Sequence, residues 1–527
     1  MKRLISVAIL GGLVAGAASA ADAQTKFADA QNNLSGVQID TPGFQNKFAV
    51  ADQLAQNVQE QVSPTYVPPN PPFLASLPSF SKPGCFDSVW TYLKSSVKDC
   101  PLSWGPFTFY GNLDGGYGWS QFGAPLGGSA DKANYFIQKN SRDRHWLWSP
   151  NAASTSVAGI ALEQKLQGEW NLIGVVEGGF NPYSLMLING PRSLADNNLV
   201  AQRNQRTAFD SSRAGQIDNS QGYIGASNPI YGTLTFGRTN SLSQSAIGAF
   251  DPVQSIAFSQ IGFSGVYAGF GASPETRINT ALTYRLTYQG IRLGAQMQVG
   301  GYSLGNAATN EYQVQVGTDL GNFSFDAIAG YAKNAVTLSS FSNSGLPVGF
   351  DPNSVLKATL SDTGGFALLS RYNWKPYNLK LYLGYIYSHT TDPSDSFPNG
   401  FPTVASGIIN IGGSTLTSNN FGIPRDLNTV WTGAKYALRP NIDLAGGVYF
   451  EHQNDFNPVA CTGSGVNTSN ARCAGNRWSF SFLVDYRPIP RLSLYGGVML
   501  SKVSGGIAAG FFHDQNIDPT VGVRIRF

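Results

Sequence analysis

The chain has 527 residues, of which 13% are charged, 12% aromatic and 60 glycine, with 35 basic against 32 acidic side chains. The formal net charge of +3 excludes the strongly basic surface of a nucleic-acid binder, and a mean hydropathy of −0.12 excludes a bundle of membrane-spanning helices. Length alone allows about three domains of ~150 residues, although a single large closed sheet can use as many.

Lys2 and Arg3 precede an apolar run from Leu4 to Ala17, followed by small residues through Ala23. This is the layout of a secretory signal peptide, with cleavage after Ala20 or Ala23. The run is too short and too rich in Gly and Ala for an anchor, and no later segment reaches ~18 consecutive apolar residues. Removal of residues 1–23 takes away Lys2 and Arg3 and leaves 33 basic against 32 acidic residues. The mature chain is predicted to be exported and nearly neutral, and any membrane crossing must use strands.

Residues 24–106 read as an N-terminal periplasmic extension. Phe44, Phe48, Ala51, Ala55, Val58 and Val62 follow a 4-3-4-3-4 spacing, a heptad seam too short to be stable alone. Two readings stand for it: a short bundle of several copies, or an amphipathic helix docked on the main domain. Seven prolines between Pro64 and Pro83 make the next stretch an extended linker.

Cys85 lies near Cys100, and Cys461 near Cys473. Among three connectivities, two local disulfides are the economical pairing in an exported chain. Each closes a loop of ~15 residues and contributes roughly 3 kcal/mol in the chain-entropy model. A metal site is the rival, but no CxxC pair is present and only four histidines occur, so no metal or cofactor is expected.

From residue 107 onward, apolar and polar side chains alternate. Phe107, Phe109, Leu113, Tyr117 and Trp119 share one parity, with Thr108, Asn112 and Asp114 on the other. The split recurs in Trp170, Leu172, Val176 and Phe180 against Asn171 and Glu177, and in Ile291, Leu293, Ala295, Met297 and Val299 against Arg292, Gln296 and Gln298. Trp478, Phe480, Phe482, Val484 and Tyr486 oppose Arg477, Ser479, Ser481 and Asp485, and the last strand sets Val521, Val523, Ile525 and Phe527 against Thr520, Gly522, Arg524 and Arg526. Successive strand side chains point to opposite faces, so each segment has one apolar and one polar side.

Sixteen such runs begin near residues 107, 156, 169, 220, 232, 277, 290, 311, 323, 364, 378, 429, 441, 477, 491 and 517. Short gaps such as Asn228-Pro229-Ile230-Tyr231, Leu320-Gly321-Asn322, Arg439-Pro440-Asn441 and Pro488-Ile489-Pro490 alternate with eight longer ones. That rhythm predicts an all-β, 16-stranded antiparallel transmembrane β-barrel over residues 107–527, with short periplasmic turns and long outer loops. A soluble sandwich is disfavoured, because its outer faces would carry more charge than this chain has. Aromatics near strand ends (Trp119 and Phe122, Tyr372 and Trp374, Tyr385 and Tyr387, Trp478) suit two headgroup-level girdles.

Several motifs then carry a resemblance. They are Cys100-Pro101-Leu102 ahead of Phe109-Tyr110-Gly111-Asn112-Leu113-Asp114-Gly115-Gly116-Tyr117-Gly118, Gln138-Lys139-Asn140-Ser141, and Trp146-Leu147-Trp148-Ser149-Pro150. Further on stand Glu177-Gly178-Gly179-Phe180, Asp210-Ser211-Ser212-Arg213-Ala214-Gly215-Gln216 and Tyr231-Gly232-Thr233-Leu234-Thr235-Phe236-Gly237-Arg238. Over residues 85–527 the chain resembles the Gram-negative general porins, in the subgroup common in alphaproteobacteria. The resemblance implies a homotrimer in the cell outer membrane, in contact with lipid and lipopolysaccharide, that passes small hydrophilic solutes and ions by diffusion.

It also implies a third outer loop, here about Thr239 to Thr276, folded into the lumen as a constriction. Asp251 and Glu275 are its acidic residues. Strand parity turns Arg277, Arg285, Arg292 and Arg371 inward together with Asp114 and Glu177, and Arg238 sits at the motif. Balanced charge predicts weak ion selectivity. Three other classes compete with a general pore. An enzyme would need a nucleophile or activated water beside a His and a carboxylate, and His145, His389, His452 and His513 sit in no such motif. A sugar- or organic-anion-specific channel, and an added anchoring role for the extension, stand as alternatives to a general pore.

Overall fold

The computed structural model describes residues 84–121, 144–180, 220–254, 258–263, 277–298, 310–338, 358–392, 423–456, 472–508 and 513–527, with a few short pieces between them. The signal segment, the heptad seam and the proline-rich linker lie outside the described residues.

The described chain starts as a small knob. Cys85 and Cys100 are bonded, and Ser88 caps the helix α1 (Val89–Lys94) by accepting from the Thr91 amide at 3.0 Å. The second predicted bridge, Cys461 to Cys473, is also formed. A three-residue strand, Leu102–Trp104, leads from the knob to the main sheet.

Sixteen wall strands follow. The first five are β1 (Phe107–Ser120), β2 in two pieces (His145–Pro150 and Ser156–Lys165), β3 (Asn171–Phe180), β4 (Gly222–Asn228) and β5 (Gly232–Asn240). Next come β6 (Arg277–Tyr288), β7 (Ile291–Gln298), β8 (Asn310–Leu320), β9 (Phe323–Leu338), β10 (Ala358–Trp374) and β11 (Leu379–Thr391). The last five are β12 (Arg425–Arg439), β13 (Ile442–Gln453), β14 (Gly475–Ile489), β15 (Leu492–Gly505) and β16, again in two pieces (Gln515–Ile517 and Thr520–Arg526). Each pairs antiparallel with its chain neighbours, and β16 pairs with β1, so the wall closes on itself. Closure removes every sheet edge, which a strand-built membrane protein requires.

Tight turns join the strands on one side. At Gln289-Gly290 both residues take positive φ (49° and 81°), the two-residue hairpin geometry that matches strand twist and favours glycine. Long connections lie on the other side, and the one between β11 and β12 carries a small hairpin of its own, Ile409–Ile411 with Ser414–Leu416.

Burial is inverted relative to a soluble domain. Val176, Val316, Leu383 and Val521 are 54–66% exposed on the outer face, whereas Ser479, Thr429, Glu451 and Gln313 on the inner face are at most 2% exposed. Apolar exposure on this scale needs a lipid solvent rather than water. A sandwich would show the reverse. Among the described residues no helix is long and apolar enough to cross a membrane.

Candidate functional site: the barrel lumen

β5 ends at Asn240, and the chain then turns into the lumen instead of outward. Ser241 caps α2 (Leu242–Ala249), its Oγ accepting from the Gln244 amide at 3.0 Å. The first helical amides, which lack intrahelical partners, are taken by the wall: Leu242 N donates to Gln296 Oε1 of β7 at 3.2 Å, and Ser243 N to Gln313 Oε1 of β8 at 2.9 Å. Gln296 is held in turn by donating to Thr239 and Thr283 hydroxyls at 3.0 and 2.9 Å.

The segment then reaches the opposite wall. Arg371 of β10 donates to the Ala249 carbonyl at 3.4 Å, and Trp431 Nε1 of β12 to the Phe250 carbonyl at 3.0 Å. Tyr449 Oη of β13 donates to Asp251 Oδ1 at 2.7 Å, and Ser481 of β14 to the Phe258 carbonyl just before α3 (Gln260–Phe263). Ile247, Phe250, Val253, Phe258 and Ile261 pack with Leu369, Ile386, Trp431, Tyr449 and Leu483 in one buried apolar cluster. Wall strands from β5 to β14 are thereby tied together across the interior by residues 241–254 and 258–263.

Three predicted charges meet this segment. Asp251 is fully buried against Tyr449. Arg285 donates to Ser245 Oγ of α2 at 3.2 Å, and Arg371 lies over the Phe250 ring with 5.4 Å between guanidinium carbon and centroid. The other predicted charges sit elsewhere. Arg292 pairs with Asp319 and with Asp326 at 3.1 Å, near the tight-turn side. Glu177 accepts from Tyr110 Oη at 3.0 Å and from Ser220, whose carbonyl takes Arg238 Nε at 2.9 Å. Arg238 is buried and sits where the β5–β6 register shifts, between Gly237 and Thr239. Glu275 and the Arg277 side chain lie outside the described residues.

Asp114 is wholly buried for a local reason. Between the two pieces of β2, residues 151–155 bulge inward, and Asp114 accepts from Ala153 N at 3.0 Å, Ser154 Oγ at 3.1 Å and Tyr495 Oη at 2.8 Å.

Sequence reasoning did not single out Lys380, Lys435, Asp443 and Arg487, which the register assembles on β11 to β14. Lys380 on β11 stands directly opposite Lys435 on β12, and Asn373, its partner on β10, is two residues from Arg371. Asp443 on β13 opposes Asp485 on β14, and the two share Arg487 at 2.8 and 3.1 Å, while Lys435 pairs with Asp443 at 3.1 Å. Lys435, Asp443, Asp485 and Arg524 line a small hollow of about 20 Å³ beneath Pro252, Val253 and Gln254. Inward parity was the available signal. Among the described residues, no cluster of His, Cys, Asp and Glu is placed to hold a metal ion.

A closed sixteen-strand wall with hydrocarbon outside, charge inside and a segment laid across its interior defines the class of outer-membrane pores. The family model for Gram-negative porins matches residues 103–506, and the chain belongs to that family. Its members are channels that sit in the outer membrane and pass solutes by diffusion. Among solved structures, the anion-selective porin from Comamonas acidovorans is similar at 14% identity with a TM-score of 0.50, covering 80% of this chain and 99% of that one. The loop L8 deletion mutant of OmpT from Vibrio cholerae follows at 13% identity and 0.49, covering 80% and 99%. At these identities the likeness is one of fold alone. No curated protein sequence matches.

Proposed function

We propose that the chain is a size- and charge-sorting filter for small hydrophilic solutes and ions, with segment 241–263 as its constriction. The observation that carries this reading is the attachment of one lumenal segment to opposite walls, beside the lysine pair Lys380 and Lys435. Asp251, with Glu275, supplies acid on the loop side; Arg285 and Arg371 supply base on the wall side, and Asp114, Glu177, Arg238, Arg277 and Arg292 tune the field at other levels. A charge pair at ~4 Å interacts by about 1 kcal/mol in water and about 4 kcal/mol at an effective dielectric of ~20, enough to bias ions without blocking them.

Most inward charges are neutralised locally, which keeps selectivity weak. Lys380 and Arg371 make no ion pair among the described residues, so the bias is toward anions. Recording single channels of the full protein in a planar bilayer under a salt gradient tests both points. A reversal potential of modest size with the sign for anions is expected; strong cation selectivity would reject the assignment.

The reading extends to a homotrimer in lipid and lipopolysaccharide, with residues 1–23 removed on export and residues 24–106 on the periplasmic side. Conductance in triplet steps supports the trimer. A trimer that survives deletion of residues 24–63 unchanged would deny the heptad seam any part in assembly.

A further inference from the structure

The knob at residues 84–101 precedes the family match, and it is built around one arginine of the wall. Arg491, in the tight turn before β15, is 1% exposed. Its Nε donates to the Tyr92 and Ser95 carbonyls at 2.9 and 3.0 Å, one terminal nitrogen donates to Tyr92 Oη at 3.0 Å, and the other to the Ser96 and Cys100 carbonyls. The guanidinium also stacks 3.8 Å from the Tyr92 ring. All five partners lie within the loop that the Cys85–Cys100 bond closes.

The knob's other end reaches β1. Phe527, the last residue of the sequence, exchanges both backbone hydrogen bonds with Gly111, at 3.0 and 3.1 Å. Below that point β1 continues for four more residues, Phe107 to Tyr110, without β16 beside it. Leu102–Trp104 fills part of the gap: Leu102 pairs with Phe109, Ser103 with Thr108 and Trp104 with Phe107. The sixteenth wall position is therefore made of two pieces of chain, residues 520–527 and then 102–104, running in the same direction.

β16 and β1 share seven register pairs, about half the thirteen between β10 and β11 and as many as β4 and β5 share. A strap that grips β15 through Arg491 and β1 through Leu102–Trp104 crosses that ladder from one side to the other.

The geometry points to a disulfide-closed lock on the barrel seam: the knob at residues 84–101 bridges β15 and β1 and holds the seam shut. The bond's role is to make four carbonyls converge on one guanidinium; without it, that convergence must be met from chain entropy. The lock can form only once β1 and β16 have met, since only then do both of its attachment points lie side by side.

The test uses folded full-length protein in detergent carrying C461S/C473S, so that reductant acts on Cys85–Cys100 alone. Reduction is expected to lower the unfolding midpoint, read by circular dichroism, by about 3 °C. Amide exchange should rise at Thr520–Arg526 and Asn112–Gly118 while β9 to β11 stay protected. R491A should reproduce both effects; if it fails to assemble, R491K serves, since an ammonium lacks the planar fork. An unchanged midpoint, or exchange that rises equally in β9 to β11, would overturn the proposal.

Discussion

Single side chains set the lumen's shape through contacts that can be removed one at a time. Tyr449→Phe deletes the hydroxyl that Asp251 accepts from, leaving a buried carboxylate short of a donor at a cost of about 1–3 kcal/mol. Open-channel current noise should rise, and conductance should change, in single-channel recordings. Gly384 on β11 lies directly opposite Trp431 on β12, and a methyl there would collide with the Trp431 ring. Gly384→Val should displace the indole, loosen its hold on Phe250 and change conductance in the same recordings, whereas Gly496→Ala, where an added methyl meets only an ordinary contact, should not. Neutralising Lys380 and Arg371 together should move the zero-current potential toward cations. Asp114 and Glu177 were legible as inward, yet their burial was not. Parity gives a side chain's face, but neither its height nor the neighbours that a bulge such as residues 151–155 brings to it.

Elements were more readable than sites. Fifteen of the sixteen runs begin within about six residues of the start of a wall strand, and the run near 156 meets only the second piece of β2, which starts at His145. Period-two patterning survives because each strand faces two solvents of opposite character. The interruption of β2 left its first piece, His145–Pro150, readable as a motif and not as wall. Helix α1 also went unforeseen, because six residues give no period to detect. Lipid exposure predicts an asymmetry between faces within one strand. Val316→Arg, on the outside of β8, should destabilise the folded barrel by roughly 2–4 kcal/mol at mid-membrane depth, and Gln315→Arg, on the inside, by much less, as read from denaturant unfolding in detergent or liposomes.

At the scale of the whole molecule, the fold class followed from composition and rhythm, whereas the charge pattern inside needed the register. Lys380 and Lys435 are 55 residues apart in the chain and become neighbours only because β11 and β12 pair with that alignment. The field they contribute is partly exposed and so subject to screening over about 10 Å at 0.1 M salt and about 3 Å at 1 M. The anion preference should therefore shrink between those concentrations, measured as permeability ratios at constant gradient. The inverted burial described above has a further consequence. The strands behave as two interleaved texts, one addressed to hydrocarbon and one to the passing solute. Either can be rewritten without editing the other, so the pore's preferences can be re-coded at alternate positions with the outer text untouched. A single inserted residue inside a strand would swap the two readers from that point on.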